Sequence, residues 1–251
     1  MTNYGSNSVT KLAAATGQAL GTFPVGPEPL GIAFDGKFIL VANYGSNSVT
    51  ALAAADGSLF GTYTVGTNPA WIAYDGNNFW VTNWGSNNVT EINAYGTVRG
   101  TFPVGVKPAG IAIDGSNNIW VANESDNTVS KLMGSTGTPV GTFPVGNLPI
   151  GVAFDGANIW VANYGSNSVT KLLASTGAPV GAPIPVGTNP YGIAFDGANI
   201  WVSGQWVYKV QASTGAALPA YYIGTAPSVW TAFDGANMWV TSPGNNTIYK
   251  L

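Results

Sequence analysis

Residues 149–172 read Pro-Ile-Gly-Val-Ala-Phe-Asp-Gly-Ala-Asn-Ile-Trp-Val-Ala-Asn-Tyr-Gly-Ser-Asn-Ser-Val-Thr-Lys-Leu. The stretch alternates small and apolar residues from Ile150 to Asp155 and turns at Asp155-Gly156. It alternates again through Asn158–Ala162, loops over Asn163–Asn167 and resumes at Ser168–Leu172. Period-two alternation on either side of Asp-Gly is the pattern of a β-hairpin, because Gly tolerates positive φ and Asp bonds nearby backbone amides. A further strand is expected near Gly181–Val186, where Pro185 fits an outer edge that needs no ladder N–H.

The phrase recurs along the chain. Asp-Gly pairs begin at Asp35, Asp75, Asp114, Asp155, Asp196 and Asp234, with gaps of 40, 39, 41, 41 and 38 residues. A period near 40 with four short strands per copy is the mark of a β-propeller blade. Six pairs predict an all-β, six-bladed β-propeller of four-stranded antiparallel blades, one domain over residues 1–251. Its ring would be closed by N- and C-terminal strands. Strand c, however, occurs seven times, counting 8–12 and 246–251. The strand at 8–12 is therefore read as spare, able to lie idle, displace 246–251 or pair with another molecule.

Composition narrows the function classes. Hydrophobic residues make up 45% of the chain, ample for a core between blades, whereas charged residues make up 8%, about a third of the ordinary share. Net charge is −3, so no basic footprint for nucleic acid exists, and the recurring Lys11, Lys131, Lys171, Lys209 and Lys250 spread around the rim. No run of 18 apolar residues suits a membrane span. Cysteine is absent, which excludes disulfides and thiolate metal sites. Met1-Thr2-Asn3 lacks the basic and apolar regions of a signal peptide, and an extracellular or periplasmic setting is favoured only weakly.

The blade text, Pro-x-Gly-Ile-Ala-Phe-Asp-Gly through Trp-Val-Ala-Asn to Asn-Ser-Val-Thr-Lys-Leu, resembles the YVTN and NHL-type propeller repeats. It also resembles the streptogramin (virginiamycin B) lyase group over essentially the whole chain. That resemblance implies histidines at the central mouth acting as base beside a divalent cation. This chain has no histidine. The residues after each mouth proline are Leu30, Ala70, Ala109, Ile150, Tyr191 and Ser228, none a general base of useful pKa. They also lack the carboxylates with which gluconolactonase-like propellers hold calcium. No catalytic residue, metal or cofactor is therefore assigned, and a lyase or lactonase activity ranks last.

The repeated residues read as structure: Asp of the Asp-Gly turns, Asn43, Asn83, Asn123 and Asn163 at the loop entry, and the strand-b tryptophans Trp80, Trp120, Trp160, Trp201 and Trp239. A need repeated in every blade is met by a repeated residue. Glu124 and Asp126 are two carboxylates on one loop, read as a solvated tip. The non-repeating aromatics carry more information. Tyr44, Trp84 and Tyr164 stand on b–c loops, and Trp71, Tyr191 and Trp230 on the neighbouring d–a side. Trp206 follows a loop shortened to Ser203-Gly204-Gln205. The expected ligand contacts are Tyr44, Trp84, Tyr164, Tyr191 and Trp206. The expected function is a non-enzymatic binding module for a carbohydrate or a protein segment. The alternatives are a self-assembling protein that forms homo-oligomers by donating strand 8–12, and a consensus-like or excised scaffold without native activity.

Overall fold

The protein is described by a computed structural model covering residues 1–223 and 229–251. Seven antiparallel sheets follow one another along the chain, and each is a blade. Blades 2 to 6 have four strands, a to d, running outward from the central channel. In blade 5 these are Pro149–Phe154, Asn158–Asn163, Ser168–Leu173 and Ile184–Pro185. Blade 1 holds b, c and d (Thr2–Asn3, Ser8–Leu12, Ala19–Pro24), and blade 7 holds a, b and c (Thr231–Phe233, Met238–Ser242, Thr247–Lys250).

The ring is thus seven-bladed, not six-bladed. Asp-Gly marks only the a–b hairpin, and blade 1 enters at strand b, so its copy carries no such mark. The terminal fragments that counting merges into one blade stand as separate sheets. The strand at Ser8–Leu12 is not spare, because Val9 is registered with Thr2 on one side and Phe23 on the other. Closure does not come from a strand shared between the termini. Lys250 Nζ of blade 7 donates to the carbonyls of Ala14 and Ala15 in blade 1, both at 2.8 Å.

That closing contact repeats a device found between blades. In blade 5 the Asp155 carboxylate takes two backbone N–H bonds from Ala157 and Asn158 and the indole N–H of Trp160 at 2.7 Å. The Lys171 ammonium lies 4.8 Å from the Trp160 ring and donates to the Ala212 carbonyl of blade 6. Blade 4 repeats it with Asp114, Trp120, Lys131 and the Ala174 carbonyl. The Asp-Gly carboxylates therefore serve their turns, as their repetition implied, and those of blades 3 to 7 also accept a strand-b indole N–H. The loop-entry asparagines are equally structural: Asn43 and Asn163 are buried and donate to Ser48 and Thr50, and to Ser168 and Thr170.

These turns set an acid limit on stability. Desolvation pushes the carboxyls upward, yet the summed indole and amide hydrogen bonds outweigh it. They hold Asp114 and Asp155 below the usual range and Asp196 down to about 2. A folded-state pKa below the unfolded one stabilises the fold fully above the unfolded value of about 3.9, and the contribution is lost as pH falls through the folded value. The melting temperature, followed by circular dichroism, is expected to be level from about pH 7 to about pH 5 and to fall steeply below about pH 4. A level curve down to about pH 2 would contradict this.

Strand a lines the channel, and its glycines allow neighbouring strands to touch. A Cβ on Gly110 would sit 2.2 Å from the Ile150 carbonyl oxygen, and one on Gly151 would sit 2.4 Å from that of Tyr191. At the equivalent position blades 3 and 7 carry Trp71 and Trp230 in place of glycine. The strand-b neighbour changes with them. Thr82 and Thr241 replace the Ala of blades 2, 4 and 5, and their hydroxyls accept the Trp71 and Trp230 backbone N–H bonds.

Candidate functional site

The two channel tryptophans meet edge to face with ring centroids 5.1 Å apart. Trp230 also packs edge-on against Tyr191 at 5.1 Å, and Tyr191 against Tyr164 at 6.3 Å. Aromatic rings from blades 3, 7, 6 and 5 thus bridge the channel and give the mouth a floor. Such offset and edge-to-face pairs are the geometry that the ring quadrupoles favour.

Above this floor lies a cavity of about 310 Å³, lined by Tyr4, Leu30, Tyr44, Ala70, Trp71, Trp84, Glu124 and Tyr191. Its walls come from five blades, all from b–c turns or from the start of strand a. The turns present their side chains because each ends on an Asn in the left-handed region. The short helical turn Tyr44–Ser46, for example, is followed by Asn47 at φ 55°. An Asn takes that conformation at little cost. The Asn47 side chain then accepts the Asn68 backbone N–H and ties the turn to the entry of the next blade.

Glu124 organises one wall. Its carboxylate accepts the Trp84 indole N–H at 2.9 Å, and the Lys107 ammonium lies 4.6 Å from the Trp84 ring centroid. Tyr44 leans on Trp84 at 6.2 Å. Burial, with Glu28 and Glu124 nearby, raises the Tyr44 hydroxyl pKa. Burial, with Glu124 and Tyr164 nearby, pushes Tyr191 up to about 12. Burial, with the Glu28 carboxylate nearby, likewise raises the Tyr4 hydroxyl pKa. The cup is therefore aromatic, its Tyr4, Tyr44 and Tyr191 phenols stay neutral in ordinary buffers, and Glu124 is the carboxylate among its lining residues.

Among the described residues no three His, Cys, Asp or Glu side chains gather as metal ligands. Glu124 and Asp126, paired in sequence, are divided in space. Asp126 accepts the Val106 backbone N–H at 2.7 Å, whereas Glu124 turns to Trp84.

Of the five aromatics picked out in the sequence, Tyr44, Trp84 and Tyr191 line the cup and Tyr164 touches it through Tyr191. Trp206 does not join them. It is 41% exposed and pairs with Tyr222 at 5.3 Å beyond strand d of blade 6, outside the cup wall. The shortened loop places it there, since Val207 is registered with Tyr221. Ser228, one of the residues after a mouth proline, lies outside the described residues. Tyr4, Trp71 and Glu124 are lining residues of the cup that sequence reading undervalued.

Solved structures similar to this chain decide its architecture. Virginiamycin B lyase from Staphylococcus aureus matches with a TM-score of 0.85 at 18% identity, over 99% of this chain and 89% of that one. The fold is that of the virginiamycin B lyase propellers. A streptogramin B lyase matches with a TM-score of 0.74 at 20% identity, over 88% and 82% of the two chains. Kuenenia stuttgartiensis hydrazine synthase matches with a TM-score of 0.85 at 18% identity, over 100% and 90%. A histidine-to-alanine variant of the Staphylococcus aureus lyase, described as catalytically inactive, was solved with quinupristin. No protein-family model and no curated protein matches the chain. At these identities the likeness to the lyases is one of fold.

Proposed function

We propose that this chain is a non-enzymatic recognition propeller that takes its ligand, a protein segment or a carbohydrate, in the aromatic cup of the mouth. The observation that carries this reading is the aromatic lining: Trp71, which meets Trp230 across the channel, shares the cavity wall with Tyr44, Trp84 and Tyr191. Flat aromatic faces held by a rigid ring present apolar area at low entropic cost, and Glu124 supplies a fixed polar contact. Proton-transfer chemistry finds little support in the cup. The chain has no histidine, and a tyrosine near 12 is a poor base at neutral pH.

The test is a peptide-display and glycan-array screen of the purified protein, with the best binder measured on two variants. Trp84→Ala is expected to weaken binding by about 30-fold or more, the range of a buried aromatic anchor, with the circular dichroism unchanged. Trp206→Ala is expected to leave it within about twofold. Unchanged binding by Trp84→Ala, or a loss in Trp206→Ala alone, would overturn the placement of the site.

A further inference from the structure

We infer that the cup selects a methylated or quaternary ammonium group, an inference that rests on the mouth being the binding site and adds the charge and shape of what enters it. Electrostatics and ring geometry both point this way. The Glu124 carboxylate lines the cup, the Glu28 carboxylate lies near enough to raise Tyr44, and the Lys107 ammonium sits over Trp84. An uncharged ligand would leave that imbalance unused, and an anion would oppose it.

The rings themselves are cation platforms. Trp84 already holds the Lys107 ammonium 4.6 Å from its centroid. Elsewhere in this protein Trp120, Trp160 and Trp201 each hold a lysine at 4.5 to 4.9 Å. In the cup, Trp84 gives its indole N–H to a carboxylate, which feeds electron density into the ring and strengthens its attraction for a cation. Tyr44 presents a neutral phenol ring 6.2 Å from it, and Tyr191 another on the same cavity lining. An alkylated ammonium spreads its charge over methyl groups that can lie on several faces at once, and it loses less hydration on entry than a bare ammonium ion. The cavity, about 310 Å³, is at the small end of ligand pockets and has room for a head group.

Choline and its neutral isostere 3,3-dimethylbutan-1-ol test the inference in parallel calorimetric titrations. Choline is expected to bind about tenfold or more tightly than the alcohol. Glu124→Gln keeps an acceptor for the Trp84 indole and removes one charge. It is expected to weaken choline about fivefold and leave the alcohol unchanged. Lys107→Met removes the resident cation and is expected to tighten choline severalfold. Opposite responses to these two changes are a signature that a merely structural role would not give. Equal binding of alcohol and choline, no binding of either, or shifts of the same sign in both variants would overturn the ammonium assignment. Trp84→Ala separates the two levels. If it leaves choline binding intact, the mouth itself is not the site. If choline does not bind the native protein and Trp84→Ala abolishes binding of a screened sugar, the mouth stands and only the ammonium class falls.

Discussion

Asp114→Ala is expected to destabilise the ring by about 3–5 kcal/mol, the cost of stranding a buried charge whose partner has been removed. Asp114 is 7% exposed, and its carboxylate accepts the Trp120 indole N–H, the Asn118 side-chain amide and the backbone N–H groups of Ser116 and Asn118, all near 2.9 Å. Lys131 Nζ lies 3.9 Å away, 5% exposed as a residue, over the Trp120 ring and bonded to the Ala174 carbonyl of the next blade. Alanine would leave an indole donor unpaired and the lysine without its counter-charge. For a chain of this size the melting temperature should fall by roughly 10 °C. Blade 2 supplies the control. There Leu40 stands in place of the tryptophan and Ala51 in place of the lysine, and Asp35 serves only its turn, through the N–H groups of Lys37 and Phe38. Asp35→Ala should cost about 1 kcal/mol, and equal losses in the two blades would refute the latch.

Gly110→Ala is expected to cost about 3 kcal/mol or more. Its Cβ would fall 2.2 Å from the Ile150 carbonyl oxygen and 3.0 Å from the Val152 nitrogen. Both are backbone atoms of the neighbouring innermost strand, so no side chain can swing aside. Strands a of blades 4 and 5 would have to part, which loosens the channel under the cup. Gly5, with nothing within 4 Å of a built Cβ, is the matched control and should accept alanine without loss. Thermal unfolding of both variants checks the contrast, and a stable Gly110→Ala protein would contradict the close approach.

Much of this architecture is legible in the sequence because a repeat states it several times. The strand order, the Asp-Gly hairpins, and the structural roles of Asn43, Asn163, Trp120 and Trp160 follow from recurrence alone. The number of blades does not. The Asp-Gly mark belongs to one hairpin, and the terminal blades each lack a strand, so a count of marks falls one short of a count of sheets. Trp84 and Tyr191 could be picked out because they depart from their copies, whereas Tyr44 repeats as Tyr4 and Tyr164. The same signal existed at Trp71 and Trp230, which stand where four other blades have glycine. It does not reveal that two residues so far apart in sequence meet across the channel. Glu124 looked like a solvated tip because its partner, Trp84, is 40 residues away. Trp206 stands apart from the other four because, after a shortened loop, its side chain packs against Tyr222.

The most direct test of the cup is a residue-resolved titration of the tryptophan indole N–H signals by nuclear magnetic resonance, with choline and with the best binder from the display screens. The nine indoles of this chain fall into groups with different fates. Trp84, at the wall, and Trp71, in the floor, are expected to shift and saturate together. Trp206 and the strand-b indoles of Trp80, Trp120, Trp160, Trp201 and Trp239 are expected to stay in place. Saturable shifts confined to Trp206, or binding that moves neither Trp84 nor Trp71, would contradict the mouth as the recognition site.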